Sequence, residues 1–160
     1  MRALRKPEEK IEFVKGFQLI PFEAAHFYLM EECEWAPHHD SMLFHNPDTL
    51  MHLQHQNTWT LFYDNLILGC AGTVKLWPGR YHGWTMMTEH TQGRMKKVTE
   101  LTRHVLNGIS GRIEMTVVLE NELGHKWAKM LGFKVENPPG ILQQYGPLGE
   151  DHIAYVRINQ

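Results

Sequence analysis

Apolar positions along this chain recur with two periods, and the changes of period mark its elements. "IEFV" (11–14) has the length and apolarity of a short first strand. "PFEAAHFYLMEECE" (21–34) reads as a helix, with Pro21 in its first turn and Ala24, Phe27, Leu29 and Met30 as the apolar positions. "NPDTLMHLQHQ" (46–56) is a second helix, with Asn46 or Asp48 near its start. "TWTLFY" (58–63), then Asp64-Asn65, then "LILGCAGTVKL" (66–76) predicts a hairpin. Asp and Asn tolerate the positive φ of a two-residue turn, and β-branched and aromatic residues flank them. "WPGRYHG" (77–83) reads as a turn and "WTMM" (84–87) as a short strand. In "TQGRMKKVTELTRHVLNG" (91–108), Met95, Val98, Leu101, Val105 and Leu106 return at helical spacing, and Asn107-Gly108 is a stop. "RIEMTVVLE" (112–120) alternates as a strand does. A helix follows from about Glu122 to Leu131, with Leu123, Trp127, Met130 and Leu131 as its apolar face and Gly132 as its left-handed end. "HIAYVRI" (152–158) closes the chain as a strand, the last of one or two expected after the helix. This order predicts a mixed α/β (α+β) fold with a mostly antiparallel sheet flanked by about four helices.

Composition narrows the picture. A chain of 160 residues with neither repeat nor linker is expected to form one domain over 1–160, with the charged "MRALRKPEEK" (1–10) peripheral to it. A formal net charge of −2 offers no field for nucleic acid or for a membrane surface. The charged start has no apolar region after it to act as a signal peptide, and no stretch is long and apolar enough to span a membrane, so a cytoplasmic setting is expected. Two cysteines, Cys33 and Cys70, make no disulfide framework.

With its strand–helix–strand arrangement leading into Asn121, "KWAKMLGF" and a final strand, the chain resembles the GNAT acetyltransferase superfamily, over roughly residues 11–158 and most specifically over 84–133. It looks most like the short, divergent GNAT-like proteins of tailed phages, among them small internal virion proteins. The resemblance implies acetyl-CoA as cofactor and an amine as acceptor. Its pantetheine arm would pair with the backbone of Met86, Met87 and Thr88, and its pyrophosphate would meet Gln92, Gly93 and Arg94 at the start of the next helix, where N–H groups and the helix dipole attract anions. Asn121 falls where the family often has an Asn that contacts the cofactor or orders the following helix. Glu89 is the best-placed carboxylate to take a proton from the substrate ammonium, with His90 beside it; both also suit the plainer role of preceding and capping a helix.

Two departures bear on activity. The family pattern Q/R-x-x-G-x-G/A brings several N–H groups onto phosphate, whereas "HTQGRMKK" holds only Gly93, with Arg94, Lys96 and Lys97 as substitute charge. The family's tyrosine that protonates the departing thiolate would stand seven residues after Asn121, and that position is Ala128. Two functions are therefore expected to compete. One is an acyl-CoA-dependent N-acyltransferase. The other is a catalytically silent GNAT-like module, for example a phage virion or accessory component in a particle, working through a protein partner or as a homo-oligomer.

The remaining candidates read more simply. His38, His39, Asp40, His45, His52 and His55 form a histidine-rich stretch without a recognisable ligand pattern, so no metal is assigned to it; in a GNAT-like fold it would border the acceptor side. Trp59, Trp77, Trp84 and Trp127 are expected to be core or hairpin anchors, since no basic residues interleave with them as in a base-stacking platform. Cys70 is expected to act as a small hydrophobe.

Overall fold

The computed structural model describes residues 11–31, 33, 46–136 and 140–160, and for 11–14 the backbone alone. Residues 1–10 and the stretch holding His38, His39, Asp40 and His45 lie outside the described residues. Two compact units emerge. One takes the described residues up to Val74 together with Trp84–Met95, and the other takes Lys75–Gly83 and Lys96–Gln160.

In the first unit, strands β1 (Ile11–Val14), β2 (Phe17–Pro21) and β3 (Asn57–Tyr63) pair antiparallel in that order, and β3 pairs antiparallel with β4 (Leu66–Trp77). The β3–β4 hairpin turns where expected, with Asp64 at φ 50°. Helices α1 (Ala24–Glu31) and α2 (Pro47–Gln54) follow β2. The expected start of α1 is corrected here. Pro21 ends a strand, paired with Trp59 of β3, and the Phe22 N–H donates to Thr58 O at 3.0 Å, so the helix begins only at Ala24. Its first N–H groups are satisfied by side chains: Ala24 N–H donates to Gln54 Oε1 at 2.9 Å, and Glu23 N–H to His26 Nδ1 at 3.1 Å. Of the two residues expected near its start, Asn46 caps α2 by accepting from Asp48 N–H. The core of this unit gathers Phe22, Phe27, Met30, Leu50, Leu53, Ile67, Cys70 and Met86. Cys70 packs there as a small hydrophobe, and burial pushes its thiol up to about 12.

The second unit contains the start of strand β5 (Arg80–Met87), helix α3 (Met95–Asn107) from Lys96 on, β6 (Gly111–Val118), α4 (Glu122–Met130), the two-residue strands β7 (Lys134–Val135) and β8 (Ile141–Leu142), and β9 (His152–Asn159). The expected turn over 77–83 shrinks to Pro78-Gly79, with Gly79 at φ 85°. Residues Arg80–His82 are already strand and pair in parallel with Arg112–Glu114 of β6. That parallel ladder is the exception in a mostly antiparallel arrangement: β6, β7 and β8 each pair antiparallel with β9. Arg80 grips Glu114 with two hydrogen bonds of 2.8 and 2.9 Å. These bonds, reinforced by Arg112, hold the Glu114 carboxyl below the usual range against a partial burial that opposes it. The core of this unit joins Leu106, Ile109, Ile113, Ala128, Leu131, Phe133 and Tyr155.

The expected apolar face of α4 is half right. Leu131 is buried and Trp127 packs against the core, donating its indole N–H to Thr99 Oγ1 at 2.9 Å, but Leu123 and Met130 are 75% and 54% exposed. The helix turns inward on Ala128 instead, a residue too small to register in an apolar periodicity. Trp59 is buried, whereas Trp77 is 53% exposed and carries the Arg80 guanidinium 4.3 Å over its ring, so it anchors a hairpin by a cation–π contact. None of the described helices is long and apolar enough to cross a membrane.

Candidate functional site

The residues expected to carry chemistry in the first unit follow one another along the end of β5 and the turn after it. Met86 is wholly buried in the core, and its carbonyl passes so close to β4 that a Cβ on Gly69 would lie 2.3 Å from it. Glycine at 69 is what permits that approach. Thr88 is fully buried and its polar atoms are engaged on every side. Its N–H donates to Leu68 O at 3.0 Å, its hydroxyl donates to Ile67 O at 2.8 Å, and its carbonyl accepts from Thr91 N–H and the Thr91 hydroxyl.

Thr88 also caps a single 3₁₀ turn, Glu89–Thr91, by accepting from His90 N–H at 3.3 Å. The sequence pattern runs its helix straight through from 91, whereas the backbone makes this 3₁₀ turn, bends at Gln92–Arg94 and starts α3 only at Met95. Gly93 supplies the bend with φ 75°, and nothing stands within 4 Å of where its Cβ would be. Gln92 and Gly93 are exposed. Arg94 is held more firmly: it donates to His90 O at 3.0 Å and lays its guanidinium 4.5 Å over the Tyr63 ring.

Glu89 and His90 therefore sit on a braced turn. Glu89 Oε1 lies 3.5 Å from His90 Nε2, while Glu89 Oε2 is buried with no hydrogen-bond partner among the described residues. Cys33, just beyond α1, brings its sulfur to the same place: that sulfur, a Glu89 oxygen and a His90 ring nitrogen lie within 4.8 Å of one another. The sequence pattern pairs Glu89 with His90 but gives no hint of Cys33, which is more than fifty positions away. His52 and His55 are both exposed, and His55 is the C-cap of α2 rather than a second residue of its face.

In the second unit, Asn121 caps α4, its side-chain oxygen accepting from Gly124 N–H at 2.9 Å. Of the two roles the resemblance allows, this geometry displays the ordering of the helix. Ala128 is completely buried in the core of this unit, so the position to which the resemblance assigns a thiolate acid holds a methyl group packed among apolar side chains. Gly132 ends the helix at φ 87°, as expected.

No family model matches this chain, and no curated protein matches it. Solved structures do. A ribosomal-protein-S5-alanine acetyltransferase from Vibrio fischeri aligns with a TM-score of 0.64 at 19% identity, over 96% of this chain and 98% of that one. A ribosomal L7/L12 alpha-N-protein acetyltransferase in complex with coenzyme A aligns with a TM-score of 0.65 at 16% identity, over 94% and 98%. A GNAT-family acetyltransferase from Bacillus anthracis aligns with a TM-score of 0.63 at 15% identity, over 94% and 98%. The fold of this chain is that of the GNAT acetyltransferases, as the strand and helix order implied.

Proposed function

We propose that this chain is an acyl-CoA-dependent N-acyltransferase. The observation that carries the reading is the likeness, over nearly the full length of both chains, to structures that are N-acetyltransferases, one of them holding coenzyme A. In this reading acetyl-CoA lies along Met86, Met87 and Thr88, with Thr88 contributing position rather than hydrogen bonds, since its own groups are already engaged. The pyrophosphate meets the exposed bend at Gln92 and Gly93 and the charge of Arg94. Asn121 contributes by fixing α4.

Glu89 is the general base. Its carboxylate takes a proton from the acceptor ammonium, and the neutral nitrogen attacks the thioester carbonyl. The tetrahedral intermediate then expels the CoA thiolate, and its nitrogen gives its second proton to solvent water, leaving the neutral amide. With alanine at 128 the thiolate takes its proton from water, and positioning of amine against thioester supplies most of the rate. The α-amino group of a protein N-terminus is the first acceptor to test, because two of the structural neighbours are described as modifying ribosomal proteins at such a group.

Acetyl-CoA at millimolar concentration should raise the melting temperature, and no shift at all would remove the enzyme reading. Gln92→Ala combined with Arg94→Ala should weaken that stabilisation; unchanged affinity would displace the phosphate site. Glu89→Gln should lower kcat by about 10²- to 10⁴-fold with little change in KM.

A second reading, a silent binding module such as a phage virion component, is favoured by one specific observation, the buried methyl of Ala128 in place of an acid. It expects a stoichiometric protein partner or a homo-oligomer, and a monomer that turns over acetyl-CoA would overturn it.

A further inference from the structure

We propose that Cys33, Glu89 and His90 form a binding site for one divalent transition-metal ion of the zinc class. The three side chains bring a sulfur, a carboxylate oxygen and an imidazole nitrogen within 4.8 Å of one another. A tetrahedral ion with bonds of about 2.0–2.3 Å holds its donors roughly 3.5 Å apart, so a small rotation of side chains closes the triangle. The Glu89–His90 edge already measures 3.5 Å.

Two features separate this cluster from a chance meeting of polar groups. Glu89 Oε2 is buried yet accepts no hydrogen bond from any described residue, an arrangement that costs free energy unless something electropositive joins it. The backbone beneath is also braced: Thr88 caps the 3₁₀ turn, Thr91 donates back to Thr88 O, Arg94 holds His90 O, and Cys33 N–H donates to Met30 O at 3.0 Å. Ligands on such a frame lose little freedom when an ion arrives. Access is open as well, since the Glu89 and His90 side chains are 34% and 29% exposed.

The donor set selects the ion. A thiolate with an imidazole favours zinc or cobalt over magnesium or calcium, which prefer oxygen alone. Binding requires the Cys33 thiol to lose its proton. The resulting thiolate and the Glu89 carboxylate then balance the two positive charges, and one proton is released per ion. Three protein ligands leave a fourth position to water. With the ion bound, Glu89 is a ligand and no longer a base. The site shares Glu89 with the acyl-transfer reading, but its test does not depend on that reading, because ion binding needs neither cofactor nor acceptor.

Titration of the full-length chain with cobalt(II), the probe ion, tests the site. The expected result is one equivalent bound with a near-ultraviolet thiolate-to-cobalt charge-transfer band, displaced by zinc and accompanied by proton release. Cys33→Ser should abolish the band, Glu89→Gln and His90→Gln should each weaken binding at least about tenfold, and Cys70→Ser should leave it unchanged. Cobalt binding without the band would assign the metal to histidines elsewhere and overturn the proposal, as would a band that survives Cys33→Ser. Should Cys33→Ser fail to fold by circular dichroism, unchanged affinity in Glu89→Gln and His90→Gln is the overturning result.

Discussion

Two helix beginnings in this protein are built on opposite plans. At α4, Asn121 caps the first turn with one hydrogen bond to Gly124, and Ala128 carries the helix into a closed core. At α3, the chain makes a 3₁₀ turn, bends through a left-handed glycine and leaves a carboxylate oxygen buried without a hydrogen-bond partner among the described residues. The first arrangement satisfies its groups and yields stability. The second holds unsatisfied chemistry on a rigid base, as a reactive or ligand-binding segment must. Within the 84–133 stretch that resembles the family most, Asn121 to Phe133 is a satisfied cap leading into a closed core, and the open polar groups stand at the turn before α3.

The largest test of that contrast is Ala128→Tyr. Placing at 128 the tyrosine that the resemblance implies would press a ring into the volume of a methyl group and should cost about 3 kcal/mol or more, read by urea unfolding. A stable variant with faster acetyl transfer would break the comparison. Asn121→Ala should cost about 1 kcal/mol through loss of the cap, without a specific loss of acetyl-CoA binding. Weakened binding at unchanged stability would give the amide to the cofactor. Gly93→Ala meets no neighbour but must hold φ 75°, so about 1 kcal/mol of local strain is expected, concentrated in hydrogen exchange around 92–94.

The smallest effect concerns pH. His26 is held below its ordinary value by burial, against an opposing pull from Glu23. Its Nδ1 accepts from Glu23 N–H and lies 2.7 Å from the Thr60 hydroxyl. Above pH 6.5 the ring is neutral whether the chain is folded or not, and the linkage is silent. As pH falls below 6.5 the unfolded chain takes up the proton first, so stability declines until the folded pKa is passed. Thermal unfolding between pH 7 and 5 should show the decline, and His26→Gln should flatten it, leaving a remainder from His82, which burial shifts the same way.

Much of the fold was legible because hydrophobic period and turn chemistry agreed. The Asp64-Asn65 hairpin, the Asn46 and Asn121 caps and the Gly132 stop all stand where the residues imply. The misses have physical causes. Phe17–Ile20 carries no period long enough to read as a strand, and Pro21 is taken for a helix start because a proline in a last strand position looks like a proline in a first helical turn. Arg80–Gly83 was given to a turn because polar residues mask a strand that pairs through its backbone. At the candidate site, Glu89 and His90 were visible as neighbours. Cys33 was not, since only the tertiary fold brings the end of α1 beside that turn.

The division of the chain carries a consequence for anyone who would take it apart. The polypeptide leaves the first unit at Val74, returns at Trp84 and leaves again at Met95, crossing near the end of β4, in the middle of β5 and after the first residue of α3. No single cut separates such units, because each is assembled from two stretches of sequence. The ribosome must release Trp84–Met87 before the first unit's strands are complete, by which time the opening residues of the second have already been made. Deletion scanning would therefore yield no autonomous fragment, while a chain split at an exposed turn would regain its fold only when both pieces are present together.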